Sequence, residues 1–177
     1  MDTDTDRCET SFASPGIYVA LTHKPLDAKP IMDRVRSAQA GATVLFAGTT
    51  RDNFGGRAVL NLSYQAYAPL AMRTMCDIAE AATKKHGLKG VAVVHRLGVV
   101  PVGEESILIA VSSPHRAAAW RGGEECLEEV KARAEIWKRE TFEDDQSAVW
   151  RANTDEAVGE TVGAGNQGEG ESVRPGA

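Results

Sequence analysis

Three basic clusters in this 177-residue chain stand where a side chain can act on an anion. Arg51 follows an apolar run, in Gly48-Thr49-Thr50-Arg51-Asp52-Asn53. His115 and Arg116 stand at an expected helix start, in Ser112-Ser113-Pro114-His115-Arg116. Lys131 is followed seven residues later by Lys138, then Arg139 and Glu140. The first turn of a helix presents unsatisfied N–H groups and the positive end of its dipole, so it favours anions. Arg grips a phosphate or carboxylate through two parallel N–H groups. Lys is a point charge whose pKa falls on burial, which suits proton transfer or nucleophilic work. Each cluster also has an ordinary structural role. An Arg after a strand is commonly solvated, a His completes a helix start, and lysines cover the polar side of an amphipathic helix.

Other reactive residue types carry less. Cys8, Cys76 and Cys126 are odd in number and lack CxxC spacing, which excludes a disulfide framework and a zinc knuckle. Cys126 sits beside the core stripe of a helix and reads as packing. His95-Arg96, at a strand end, reads as a structural or interface pair. Glu143-Asp144-Asp145 reads as a solvated loop. Gly48 and Gly55-Gly56 form neither GxGxxG nor a P-loop, which argues against a nucleotide-binding fold.

These residues need elements to position them. Ile17 to Thr22 reads as a strand, and residues 28–39 as a helix capped by Asp27 with Pro30 in its first turn. Ala42 to Ala47 reads as a buried strand. Ala58 to Tyr67 alternates, with Leu60, Leu62, Tyr64 and Ala66 on one face. Pro69 opens a helix that stops at Gly87. Val91 to His95 and Ile107 to Ser112 are strands. Ser113 and Pro114 are placed to start the next helix, with Trp120, Gly123, Leu127, Val130, Ala134 and Trp137 on one buried face. Gly122-Gly123 marks a close neighbour or a bend there. Ile136 to Phe142 fits either a continued helix or a strand. This element order is α+β.

Composition bounds the rest. The net charge of −5 lies in the ends: −3 over residues 1–15 and −4 over 152–177, against +2 over 16–151. A low overall pI argues against general nucleic-acid binding while leaving room for a local cationic pocket. No apolar run approaches the ~18 residues of a membrane span. The acidic start lacks the pattern of a signal peptide, so a cytoplasmic chain is expected. Residues 1–15 and the Gly- and Glu-rich 152–177 read as disordered tails around a domain at 16–151.

Five segments in order carry a family resemblance. They are Phe46-Ala47-Gly48-Thr49-Thr50-Arg51, then Leu62-Ser63-Tyr64-Gln65-Ala66-Tyr67, then His95-Arg96-Leu97-Gly98 with Pro101-Val102-Gly103-Glu104, then Ser112-Ser113-Pro114-His115-Arg116, then Lys131-Ala132-Arg133 with Ile136-Trp137-Lys138-Arg139-Glu140. Together they resemble the catalytic, large subunit of molybdopterin synthase over about 17–151. The resemblance implies an α+β fold of the α/β-hammerhead kind with a mixed or antiparallel sheet. It implies a homodimer within a heterotetramer, each end bound by a small ubiquitin-like sulfur carrier that ends in a Gly-Gly thiocarboxylate. It implies transfer of that sulfur to cyclic pyranopterin monophosphate, forming the molybdopterin dithiolene, with no cofactor and no metal in the chain itself. Lys131 and Lys138 match the catalytic positions. Arg51, His115, Arg116, Arg139 and Glu140 match substrate-binding positions, and Phe46 and Leu127 match walls of the pocket. Where the family often carries Pro, this chain has Glu135, so helix and strand remain alternatives for the segment that carries Lys138. Two other functions compete: a non-catalytic scaffold that docks the carrier, and, with no P-loop or metal-carboxylate site to support it, a phosphoryl-transfer enzyme.

Overall fold

The computed structural model describes residues 10–143 and 149–153. Two sheets and three helices form the fold. The first sheet is built from β1 (Thr10–Ser14), β2 (Ile17–Thr22), β3 (Ala42–Thr49), β6 (Gly90–Arg96) and β8 (Glu105–Ser113). Its order is β1-β2-β6-β8-β3; β2 and β6 run parallel and the other pairs antiparallel. The second sheet is built from β4 (Asn53–Phe54), β5 (Arg57–Ala66), β7 (Gly98–Pro101), β9 (Ile136–Phe142) and β10 (Arg151–Ala152). There β9 pairs with β5 on one side and β10 on the other, while β4 and β7 pair with β5. The architecture is the expected α+β, with a mixed first sheet.

Alternation sorts the central strands between two cores. Val19, Leu21, Val91, Val93, Ile107, Ile109 and Val111 face helices α2 (Ala68–His86) and α3 (Arg116–Arg133). Ala20, Ala92, Val94, Leu108 and Ala110 face the other way, against Ile31 of helix α1 (Ala28–Arg34) and Val35. Both faces of β6 and β8 are covered, which is why these strands read as continuous apolar runs. Helix α2 buries Ala71, Met72, Met75, Ile78, Ala79 and Ala82, a helical-period stripe, and ends on Gly87 at φ 64°. Helix α3 packs beside α2, and its Gly122 faces Leu88 just past the α2 stop, where a Cβ would come within 2.9 Å of Leu88 Cδ1. The glycine pair therefore marks a close neighbour, and the helix runs unbroken through it.

Several expectations are corrected. Thr10–Ser14 is a strand rather than tail, because the edge of β2 offers it five paired positions. At the other end Ala152 pairs with Trp137 and Asn153 is buried, so the fold passes the expected boundary at 151. Residues 1–9 and 154–177, the remainder of both expected tails, lie outside the described residues, as do Asp144 and Asp145. The first helix ends at Arg34 rather than 39, tightening through Val35 N–H to Met32 O. Strand β3 is half-buried at the sheet edge. The third helix starts at Arg116, with His115 as its N-cap residue, because Ser113 is held in β8 opposite Ala42. Trp120 is 64% exposed and Trp137 41% exposed, so neither belongs to the buried face. Leu60 is exposed because a register shift between Val59 and Asn61 leaves it without an opposite residue on β9.

Candidate active site

The segment carrying both lysines resolves into helix and strand. Helix α3 stops at Arg133, Ala134 takes an extended backbone, and β9 begins at Ile136. Tertiary partners make this break without a proline. Tyr67 N–H donates to Glu135 O at 3.1 Å, and Thr74 Oγ1 donates to Glu135 Oε2 at 3.0 Å. Lys131 therefore occupies the last turn of α3, beside the junction of β5 and α2, and Lys138 lies on β9 opposite Tyr64. Both are half-buried. Arg139 and Glu140 follow opposite Ser63 and Leu62.

Successive strand residues point to opposite faces. Lys138 and Glu140 thus share the face of the buried Ile136 and Phe142, and Glu140 is 5% exposed. Arg139 takes the other face, where its guanidinium lies 5.2 Å from the Trp150 ring centroid. Its Nε–H is buried without a hydrogen-bond partner. The structure does not set Arg139 on the same face as Lys138.

Arg51 is placed from two sides. Helix α3 returns antiparallel to β8 and so parallel to β3, which puts its lysine end over the Thr49 end of β3. Asp52 O then accepts from Val59 N–H at 2.8 Å, which joins the Arg51 turn to β5, the partner of β9. Lys131, Lys138, Glu140 and Arg51 therefore occupy one end of the molecule, where the two sheets meet. Arg51 itself is exposed.

His115 and Arg116 are not brought there. They are exposed at the start of α3, beside the Ala42 end of β3. The eight residues of β3 hold them about 23 Å from Arg51 at ~3.3 Å per residue. Phe46 and Leu127 do come together, in an open groove of about 350 Å³ between β3 and α3. Val44 and Trp120 extend it, and Glu124 and Glu128 also line it, so the groove itself is apolar and acidic rather than anion-binding. Lys131 stands one helical turn beyond Leu127.

Both thiols among the described residues are held in the protonated form. Burial, reinforced by Glu125, pushes the Cys126 thiol up to about 12. Burial, then Glu80 and Asp77, raises Cys76 as well. Neither is a thiolate near neutral pH. No group of three or more His, Cys, Asp or Glu among the described residues is placed to hold a metal ion.

Sequence reasoning missed three contributors. His95, read as structural, is that: it is 1% exposed, its Nδ1–H donates to Arg96 O at 2.8 Å, and Asn153 Nδ2 donates to its Nε2 at 3.2 Å. The missed part is Asn153, which fastens the chain after β10 beside the strand of Lys138. Trp150, against Arg139, is the second. The third is the ion pair of Arg96 Nη1 with Glu104 Oε2 at 2.5 Å, legible only as two segments of one motif.

The fold and this cationic end define a class. The MoaE protein family model matches residues 21–133, and the chain belongs to that family. Its long matches are molybdopterin synthase catalytic subunits. The one from Neurospora crassa is 62% identical over 162 residues, covering 92% of this chain and 79% of that relative. Molybdopterin synthase from Staphylococcus aureus has a similar solved structure, with a TM-score of 0.69 and 31% identity, over 74% of this chain and 94% of that one. A chain from Helicobacter pylori shares the fold at a TM-score of 0.61 and 22% identity, over 75% of this chain and 88% of that one. It is described as a protein-protein complex of subunit 1 and 2 of molybdopterin-converting factor.

Proposed function

We propose that this chain transfers sulfur from the thiocarboxylated Gly-Gly terminus of a small ubiquitin-like carrier to cyclic pyranopterin monophosphate, building the molybdopterin dithiolene in two rounds. The helix-to-strand break at Ala134 carries the reading, since it sets Lys131 and Lys138 on two elements at the end of the molecule that also holds Arg51. Both reactants are anionic, a thiocarboxylate and a cyclic phosphate. Cations fixed between them offset the repulsion and hold the attacking sulfur at the pterin side chain. The sulfur comes from the partner, which agrees with two thiols held protonated. In each round a C–S bond forms on the pterin side chain as a C–O bond there breaks, the oxygen leaving with the opened phosphate in one round and as water in the other; water then replaces sulfur on the carrier's acyl carbon, and the carrier leaves as a carboxylate. Lys131 is the first catalytic residue and Lys138 the second, supplying and taking protons as the sulfur adds and the phosphate ring opens. Arg51 and Glu140 bind substrate, and Arg139 serves from the other face of β9.

A second copy supplies His115 and Arg116. Strand β3 is a sheet edge, and an edge laid antiparallel along its two-fold mate sets the Ala42 end of one copy beside the Thr49 end of the other. Two such protomers, each with a carrier, form the heterotetramer, and its place is the cytoplasm. A Lys138→Ala chain tests the catalytic assignment against a carrier-docking scaffold. It should bind the carrier with unchanged affinity and lose most turnover; unchanged turnover would favour the scaffold.

A further inference from the structure

We infer that Arg96 and Glu104 are positioning residues for substrate binding, bracing the Thr50 turn that presents Arg51. The inference rests on the reading above, in which Arg51 holds the substrate anion.

Thr50 is 2% exposed, and the segment Val100–Glu104 takes up all its polar groups. Its N–H donates to Glu104 O at 3.0 Å, and its carbonyl accepts from Gly103 N–H at 2.9 Å. Its hydroxyl donates to Val100 O at 3.3 Å. One residue upstream, Gly48 and Thr49 face Ile107 and Glu105, so Ser106 bulges from β8; the Ser106 hydroxyl donates to Gly48 O at 3.2 Å. Immediately downstream Arg51 is exposed, and the chain turns through Gly55 and Gly56, at φ 58° and 80°. Asp52 O accepts from Val59 N–H at 2.8 Å on that side, so Arg51 is held between two fixed residues, and the Thr50 side is the one that joins it to Val100–Glu104.

The bracing segment is held at its start by β7, where Val100 and Pro101 pair with Leu62 and Asn61 of β5, and at its Glu104 end by a side chain. Glu104 reaches back to Arg96, on the end of the fully buried strand β6. The Arg96 side chain is 9% exposed, and its Nε–H has no hydrogen-bond partner. A guanidinium removed from water with one carboxylate partner and an unsatisfied N–H is a poor stabiliser; an apolar residue of similar volume commonly serves stability as well. What Arg96 does supply is a fixed anchor, on a rigid strand, for the loop that grips Thr50.

The test is steady-state turnover of the full chain with thiocarboxylated carrier and varied cyclic pyranopterin monophosphate. Glu104→Gln should raise KM for the pterin about tenfold and keep kcat within about twofold, the pattern of lost binding rather than lost chemistry. In an Arg51→Ala background the same change should add nothing, because two residues acting through one contact are not additive. Should Glu104→Gln not fold, Thr50→Val removes a single hydroxyl at constant shape and should raise KM about threefold. A purely structural role would lower Tm and leave KM unmoved, which overturns the inference. An equal KM increase from Glu104→Gln with and without Arg51 overturns it too. If Arg51→Ala alone leaves KM unchanged, the reading of Arg51 as a substrate ligand is what fails, and the bracing role falls with it.

Discussion

Between about pH 7.5 and pH 5 the buried ring of His95 is expected to cost the fold about 2 kcal/mol, a size that follows from its surroundings. The ring stands between the Arg96 carbonyl and the Asn153 amide, in T-shaped contact with Tyr64 at 4.9 Å between centroids. Burial pulls its pKa from 6.5 to about 4, and the hydrogen bond to Arg96 O opposes this only partly. The folded state thus keeps His95 neutral where the unfolded chain would bind a proton. The contribution is whole above pH ~6.5, falls with decreasing pH, and is lost by the folded pKa near 4. The fall from 6.5 to about 4 corresponds to ~3 kcal/mol, of which about two thirds is lost by pH 5. Urea unfolding of the chain and of His95→Gln at several pH values measures it. The parent should lose about 2 kcal/mol more than the variant over that range, since the variant's other groups titrate identically. Parallel pH profiles would refute the reasoning.

The adjoining glycines of α3 should part company. Gly123→Ala meets Val111 Cγ2 at an ordinary 3.4 Å and should gain from helix propensity, whereas Gly122→Ala presses on Leu88; chemical denaturation should rank Gly123→Ala the more stable by about 1–2 kcal/mol. Cys126→Ala and Cys76→Ala should each retain turnover, and native Cys126 should resist alkylation at neutral pH, as mass spectrometry of the labelled chain would show. If the partner copy completes each site, mixing inactive His115→Ala/Arg116→Ala chains with inactive Lys131→Ala chains and letting the dimers exchange should restore about a quarter of parental turnover. Half the dimers are then hybrids with one intact site each. No recovery, with exchange demonstrated, would place all site residues in one copy.

Much of this was legible because several elements announce themselves locally. The Asp27 cap, with its carboxylate accepting from Lys29 N–H, needs only its neighbours, as does the Gly87 stop. The failures share a non-local origin. Trp120 fits the helical stripe, but β3 is the sheet edge, so no further strand covers it. Leu60 fits an alternating strand until β9 skips it. The break before Ile136 depends on Tyr67 and Thr74, more than sixty residues away, gripping Glu135. The candidate site divides in the same way. Lys131 and Lys138 were legible as a pair from the resemblance, yet their residence on helix and strand was not. The sequence also groups Arg51 with His115 and Arg116 by chemistry, while the length of β3 separates them within one chain.

The central claim is that this chain moves carrier sulfur to the pterin through Lys131. Its most direct test is reconstitution: purified chain, thiocarboxylated Gly-Gly carrier and cyclic pyranopterin monophosphate, with product followed as its fluorescent oxidised pterin. Product should form only when the chain is present, and Lys131→Ala should bind carrier while reducing the rate by a hundredfold or more, about the loss of one acid–base group. Near-normal product from Lys131→Ala would contradict the account.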